Sequence, residues 1–221
     1  MMKKLIILDF DGTLVDTLTD VALCFNEALR QTGYPQHPLE AFAGFVGGNL
    51  ETVVSRMLPP DRCTTDDIDR VKTCYRELYL SSSKPNTKPY PGMMDLLQEL
   101  KRRGYALAVN SNKGQVLLDN MVDKMFPPHF FDAVVGYQEN RPSKPDPDGV
   151  RRICDSCHLP MEQAVYVGDG ASDIATAANV GIPCVFVLWG QGTEQDRTDS
   201  RVYRCVQTPE ELQALLTKED W

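Results

Sequence analysis

The chain has 221 residues, about one and a half times a usual domain length, which leaves room for one large domain or one carrying an insertion. Apolar residues make up 42% and charged residues 24%, a globular composition that excludes a disordered chain. The 23 Lys and Arg against 31 Asp and Glu give a net charge of −8 without a basic stripe, which argues against a nucleic-acid or anionic-membrane binder.

In chain order, the first apolar run is Leu5-Ile6-Ile7-Leu8, stopped by Asp9. It is too short for an export signal or a membrane span, and Lys3 to Leu8 reads as a buried strand. With no export signal, the seven scattered Cys read as free thiols in a reducing cytoplasm. From about Asp16 to Lys88 only helical patterns follow. Leu18, Val21, Ala22, Phe25 and Leu29 share one face that ends near Gly33; Val53, Val54 and Met57 mark a second helix, and Ile68, Val71, Tyr75 and Leu78 a third. The turn-rich Ser81 to Asn86 reads as a return linker.

Beyond it, strands and helices alternate. Met93, Leu96, Leu97 and Leu100 form a helical face with Gly104 as its stop, and Tyr105 to Val109 reads as a strand. Leu117, Leu118, Met121, Val122 and Met125 give the next helix, and Ala133 to Gly136 the next strand. Val150, Ile153, Cys154 and Cys157 precede the strand Ala164 to Val167; Ile174, Ala177 and Ala178 precede Gly181 and the strand Cys184 to Leu188. Thr208-Pro209-Glu210-Glu211 opens a last helix, with a Thr cap and Pro at the first position. This rhythm predicts an α/β fold: a doubly wound, Rossmann-like parallel sheet from residues 1–15 and 88–221, with residues 16–87 inserted as an all-helical cap.

Ligands of open α/β sheets bind beyond the carboxyl ends of the strands, so the residues there carry the functional reading. After the first strand come Asp9-Phe10-Asp11-Gly12-Thr13, where residues i and i+2 project from one face and Gly12 permits a sharp turn. Ser111-Asn112-Lys113, Lys144-Pro145-Asp146-Pro147 and Gly168-Asp169-Gly170-Ala171-Ser172-Asp173 follow later strand regions. Each alone is an ordinary polar turn. Together, in order, they put carboxylates, a hydroxyl and a lysine at one edge.

These motifs resemble those of the haloacid dehalogenase-like hydrolases: DFDGT, the Ser-Asn pair, the lysine of SKPDP, and GDGASD. The helical insertion is similar to the family's C1-type cap. Asp16-Thr17, Phe45-Val46-Gly47, Thr87-Lys88-Pro89-Tyr90-Pro91-Gly92 and Asn112-Lys113 look most like the phosphoglycolate phosphatase branch. The resemblance implies a hydrolase of phosphoric monoesters that works through an aspartyl-phosphate, with phosphoglycolate as the first expected substrate. It implies Asp9 as nucleophile and Asp11 as general acid and base. Ser111 and Lys144, with Gly12 and Asn112 beside them, would bind the phosphoryl group. Mg²⁺ would sit on Asp9, the Asp11 carbonyl, Asp169 and either directly or indirectly Asp173. Four aspartates, Lys144 and the ion sum to about −1, so the metal is what admits a phosphate dianion.

The alternatives are a sugar-phosphate phosphatase, a pyrophosphatase, a β-phosphoglucomutase-like transferase and, from another class, a receiver-like phospho-acceptor module. The expected partner is a small phosphorylated metabolite, and the expected assembly a monomer or homodimer in the cytoplasm. Cys154-Asp155-Ser156-Cys157-His158 fits the c-type haem attachment pattern, but both Cys continue an apolar helix face and read as core thiols. His37 reads as a loop residue and His129 as packing a turn. Gly170 stands where many phosphoglycolate-type members carry Ser, and Phe45-Val46-Gly47-Gly48-Asn49 keeps the glycine-bearing cap loop in a Gly-Asn order that is not the family's commonest. Arg56, Lys113 and Arg141 are each candidates to meet a substrate carboxylate.

Overall fold

The structure, a computed structural model, describes residues 4–218; Lys3, assigned above to the first strand, lies outside them. Strand β1 (Leu5–Leu8) leads through the two-residue β2 (Val15–Asp16) into the helices α1 (Leu18–Thr32), α2 (Phe42–Phe45), α3 (Leu50–Met57) and α4 (Thr65–Ser81). The chain returns by β3 (Lys88–Pro89) and then alternates: α5 (Met93–Arg102), β4 (Ala106–Gly114), α6 (Gln115–Met125), β5 (Ala133–Tyr137) and α7 (Asp148–Cys157). It finishes with β6 (Ala164–Gly168), α8 (Ala171–Val180), β7 (Cys184–Val187), α9 (Glu194–Arg197), β8 (Val202–Val206) and α10 (Pro209–Lys218).

Six strands form one parallel sheet in the order β5-β4-β1-β6-β7-β8. Its centre is buried on both faces, as the unbroken apolar runs require. Successive β1 residues point to opposite sides. Ile6 and Leu8 join Leu107, Val109, Val165 and Val167 in one core, while Leu5 and Ile7 join Ala106, Ala108 and Tyr166 in the other. The first core contains Leu96, Leu97 and Leu100 of α5, and the second Val150 and Ile153 of α7 with Ile174 of α8. Helices α5, α8 and α1 stop at the glycines that the sequence marked, with Gly104, Gly181 and Gly33 in left-handed backbone.

Two strand expectations are corrected. Strand β4 does not end at Val109; it runs on to Gly114 and carries Ser111 and Asn112, with a register shift between Asn110 and Gly114. Polar residues hid the extension. Strand β8 was missed because it is an edge strand whose residues, apart from Val206, are exposed or half-buried, so it lacks an apolar run.

Between β2 and β3, α1 and α4 pack through Phe25 and Tyr75, whose rings stack at 3.7 Å. The two connections of this helical unit to the sheet are joined to each other. Val15 pairs with Pro89 and Asp16 with Lys88 in an antiparallel ribbon. One turn further on, the buried carboxylate of Asp20 accepts the Asn86 backbone N–H at 2.9 Å, the Asn86 side-chain amide at 2.9 Å and the Thr87 hydroxyl at 2.7 Å. Asp20→Ala leaves these donors unpaired and is expected to cost about 3 kcal/mol. Urea unfolding of Asp20→Ala and Asp20→Asn measures this, with the smaller loss expected for Asn, which keeps an acceptor; wild-type stability in both would show that the clamp contributes nothing.

Candidate active site

The sheet order reverses between β1 and β6: the chain leaves β1 towards β4 and leaves β6 towards β7. That reversal opens a crevice at the carboxyl ends of these two strands. Asp9 directly follows β1, its N–H held by the Val167 carbonyl at 2.9 Å, and Asp169 directly follows β6. Asp173 lies in the first turn of α8, where its Oδ2 accepts the Gly170 N–H at 3.0 Å and so caps the helix. This contact needs only the backbone of Gly170. Carboxylate oxygens of Asp9, Asp169 and Asp173, all three residues buried, lie within 4.8 Å of one another.

Lys144, also buried, reaches into this cluster from the segment before α7. Its Nζ lies 2.7 Å from Asp173 Oδ1 and 2.8 Å from Asp9 Oδ1. The contact to Asp173 is a hydrogen bond, but Asp9 Oδ1, although ion-paired, has no aligned hydrogen-bond donor. Asn112 holds the lysine in place. Its Oδ1 accepts the Lys144 backbone N–H at 2.8 Å and its amide faces the Lys144 carbonyl at 3.4 Å. The Asn112 side chain is therefore engaged by the Lys144 backbone.

Asp169 is fixed by residues that the sequence reading gave no role. The Thr13 hydroxyl donates to Oδ1 at 2.9 Å and the Gln191 N–H to Oδ2 at 2.7 Å, while Trp189 Nε1 donates to the Thr13 carbonyl at 3.0 Å. Gly12 has φ +83°, and a Cβ there would overlap the Asp169 carboxylate. The loop after β7, Trp189-Gly190-Gln191-Gly192, is thus a fifth strand-end loop at the site. Its signal was a pair of glycines after a buried strand, and the close approach explains it: a Cβ on Gly190 or Gly192 would also collide with Asp169.

Asp11 points elsewhere. Its Oδ1 accepts the Thr17 hydroxyl at 2.6 Å and pairs with Lys113 Nζ at 3.0 Å, and its carboxylate is not in the three-acid cluster. Ser111 is buried at the end of β4, where its oxygen accepts the Lys113 N–H at 3.2 Å and its hydroxyl hydrogen stays available. Asp9, Asp11, Gly12, Ser111, Asn112, Lys144, Asp169 and Asp173 all line one cleft of about 1210 Å³, walled on its other side by Phe25, Arg56, Tyr75 and Tyr79.

Of the three candidate cations, Arg56 donates to the Phe45 and Gly47 carbonyls at 3.0 and 2.9 Å, bracing the glycine-bearing loop, and Arg141 pairs with Asp148 at 3.1 Å. Only Lys113 stands beside Asp11. His37 bonds the Met57 carbonyl at 2.8 Å and packs against Phe45, as a loop residue. His129 is exposed in left-handed backbone and does not pack the turn; Phe126, Phe130 and Phe131 do. Among the described residues no disulfide joins any of the seven Cys; Cys154 is buried, and Cys157 packs against the same core.

Burial pushes the Asp9 carboxyl well above the usual carboxylate range; Lys144 opposes this, and Asp173 and Asp169 add to it. Burial likewise raises Asp169 to about 7, with Asp173 adding. For Lys144 burial works against the charge, but Asp173 and Asp9 outweigh it and hold the pKa well above that of an ordinary lysine. Three buried carboxylates against one ammonium, with one oxygen lacking a donor, are residues that fit a hard divalent cation: the donor set is all oxygen.

The pH consequence follows from the sign of the Asp169 shift. Without metal its carboxyl keeps a proton in the folded chain up to about 7, whereas the unfolded chain releases it near 4. Its contribution to stability is full below the unfolded pKa and is lost as pH rises through about 7. Urea unfolding in EDTA at pH 5 and pH 8 is expected to show lower stability at pH 8, with the difference reduced in Asp169→Asn. An equal difference in that variant would assign the dependence to other groups.

Comparison with known proteins agrees with this architecture. A family profile described as haloacid dehalogenase-like hydrolase matches residues 6–187. The chain is 30% identical over 214 residues to the plasmid phosphoglycolate phosphatase of Cupriavidus necator, covering 96% of this chain and 92% of that one. It is 29% identical over 187 residues to the phosphoglycolate phosphatase of Aquifex aeolicus, covering 85% of each. Among solved structures, a protein from Lactobacillus delbrueckii subsp. bulgaricus matches with a TM-score of 0.89 at 28% identity, covering 96% of this chain and 98% of its own. A haloacid dehalogenase-like family hydrolase from Streptococcus pneumoniae matches with a TM-score of 0.85 at 26% identity, covering 96% and 97%. The chain belongs to the haloacid dehalogenase-like hydrolases, in the branch that holds the phosphoglycolate phosphatases.

Proposed function

We propose that this hydrolase of phosphoric monoesters is a Mg²⁺-dependent phosphatase that works through an aspartyl-phosphate on Asp9, with phosphoglycolate as its substrate. The observation that carries this reading is Asp9 itself. Its carboxylate is buried at the sheet's reversal point, with Oδ1 2.8 Å from Lys144 Nζ and the Asp169 and Asp173 carboxylates close by, so it stands where a cation and a phosphoryl group would meet.

Asp9, the Asp11 backbone carbonyl and Asp169 would hold the Mg²⁺, with Asp173 either a further ligand or an anchor that positions Lys144 beside the ion's ligands. When bound, the ion supplies positive charge to the phosphoryl oxygens and draws the Asp9 carboxylate into its ionised form. Lys144 and the Ser111 hydroxyl take the remaining phosphoryl oxygens, and the Asn112 amide keeps Lys144 in register. Asp11 has Thr17 and Lys113 on Oδ1, which leaves Oδ2 to give a proton to the leaving alkoxide and later take one from water. Asp9 attacks, the alkoxide departs with that proton, and hydrolysis of the acyl-phosphate returns Asp9 and phosphate.

Residues 16–87 act as the cap in this reading, with a hinge at the Val15–Asp16 and Lys88–Pro89 ribbon, and close over the substrate to exclude water. One observation favours a second reading. A cleft of about 1210 Å³ has room for a sugar phosphate, so a sugar-phosphate phosphatase or mutase stays next in line.

Phosphate release from phosphoglycolate, hexose phosphates and pyrophosphate, in Mg²⁺ and then in EDTA, tests the proposal. The expected outcome is turnover of phosphoglycolate in Mg²⁺, loss of that turnover in EDTA, and a fall of about a thousandfold or more in Asp9→Asn. Wild-type rates in Asp9→Asn would overturn the mechanism, and isomerised sugar phosphate without free phosphate would favour the mutase.

A further inference from the structure

Lys113 is a buried cation that the chemistry above does not need. Its side chain is only 7% exposed, in the wall of the cleft at the end of β4. Among the described residues, Asp11 is the carboxylate it pairs with. Burial opposes its charge, yet Asp11 and then Tyr79 keep it protonated. An ammonium carries three N–H donors, and one carboxylate oxygen shared with the Thr17 hydroxyl does not occupy them all. Its Nζ lies 4.9 Å from the centroid of the Tyr79 ring.

Tyr79 comes from α4, on the opposite side of the cleft. It is fully buried, and its hydroxyl has no hydrogen-bond partner. Such an orphan is costly unless a ligand completes it. The Lys113 ammonium, with spare donors, thus stands over the Tyr79 ring beside the acid that protonates the leaving group, and the Tyr79 hydroxyl, without a partner among the described residues, belongs to the same cleft. The other cations of the cleft wall are engaged: Arg56 by carbonyls, Lys72 by Asp69, Arg76 by Glu139 and Arg141 by Asp148.

We propose that Lys113 and Tyr79 form an anion subsite for the leaving group, taking a carboxylate carried within one or two carbons of the ester oxygen. The proposal rests on the phosphatase reading for what a leaving group is, and deepens it. The restriction to a short spacer follows from geometry, because Lys113 Nζ is 3.0 Å from Asp11 and the proton from Asp11 goes to the ester oxygen. A neutral leaving group of the same size would leave the spare Lys113 N–H groups and the Tyr79 hydroxyl without a partner, which is how a polar subsite rejects an isostere.

The test is a binding ratio, so that it does not depend on turnover. Phosphoglycolate and ethyl phosphate share the phosphate and the two-carbon frame and differ in the carboxylate. In Asp9→Asn protein with Mg²⁺, calorimetry is expected to show tenfold or more tighter binding of phosphoglycolate. Adding Lys113→Met is expected to collapse that ratio towards one, adding Lys113→Arg to restore part of it, and adding Tyr79→Phe to lower it about threefold. Lys113→Met and Tyr79→Phe are near in shape to the native side chains, and each is checked for folding by circular dichroism. A ratio near one in the Asp9→Asn parent, or a ratio that Lys113→Met and Tyr79→Phe both leave intact, would overturn the subsite. Failure of the phosphatase reading shows separately, as absence of phosphate release from every ester with the binding ratio preserved.

Discussion

The structure is organised around a charge imbalance that it cannot solve with its own side chains. Asp9, Asp169 and Asp173 are buried within a few ångströms of each other, and one ammonium, Lys144, stands among them. Three carboxylates against one lysine leave about two negative charges in a place where water cannot screen them. Two protons or one divalent cation balance that deficit, and the upward displacement of Asp9 and Asp169 is the proton solution. The sequence count arrived at about −1 with the ion bound, because it included Asp11 and had no partner for it. Lys113 is that partner, and it brings the total to about zero. With a divalent ion in place, as proposed, a phosphate dianion would meet a site that is neutral rather than repulsive.

The rest of the chain holds those charges in place against their mutual repulsion. The sheet reversal puts the ends of β1 and β6 side by side, α8 begins so that Asp173 caps it, and the glycines around Asp169 allow backbone to close in where a Cβ would not fit. Even Asn112, a residue of the signature itself, works on the lysine rather than on open space. Asp169 is held by the Gln191 N–H and the Thr13 hydroxyl, Asp173 by the Gly170 N–H, and Lys144 by the Asn112 side chain.

What was legible in the sequence follows from what apolar patterning can report. The central strands are covered on both faces and announced themselves as runs; the helices carried their stripes and their glycine stops. Strand β8, at the edge with Arg204 within it, had no such pattern, and β4 continued through Asn110 and Ser111, which read as a loop. Asp9, Asp11, Ser111, Lys144, Asp169 and Asp173 could be singled out because spacing at strand ends is local, and all six line one cleft. Trp189, Gln191 and Tyr79 were not, because their neighbours lie far away along the chain: Trp189 meets Thr13 across 176 positions. Lys113 was noticed, but its contact with Asp11 depends on a pairing of β1 with β4 that no local window contains.

The ribbon of β2 and β3 has a consequence for how such proteins diversify. Antiparallel partners stand about 5 Å apart, so the helical excursion leaves and rejoins the sheet at one point. An insertion of any length whose ends meet across that gap could occupy the same port without disturbing the register of β1 against β4 and β6. Asp9, Ser111, Lys113, Lys144, Asp169 and Asp173 lie on the sheet side of that port, and Tyr79 lies on the inserted side. A different insertion at that port would therefore exchange one half of the proposed leaving-group subsite and leave the other half, with the strand-end acids, as it was.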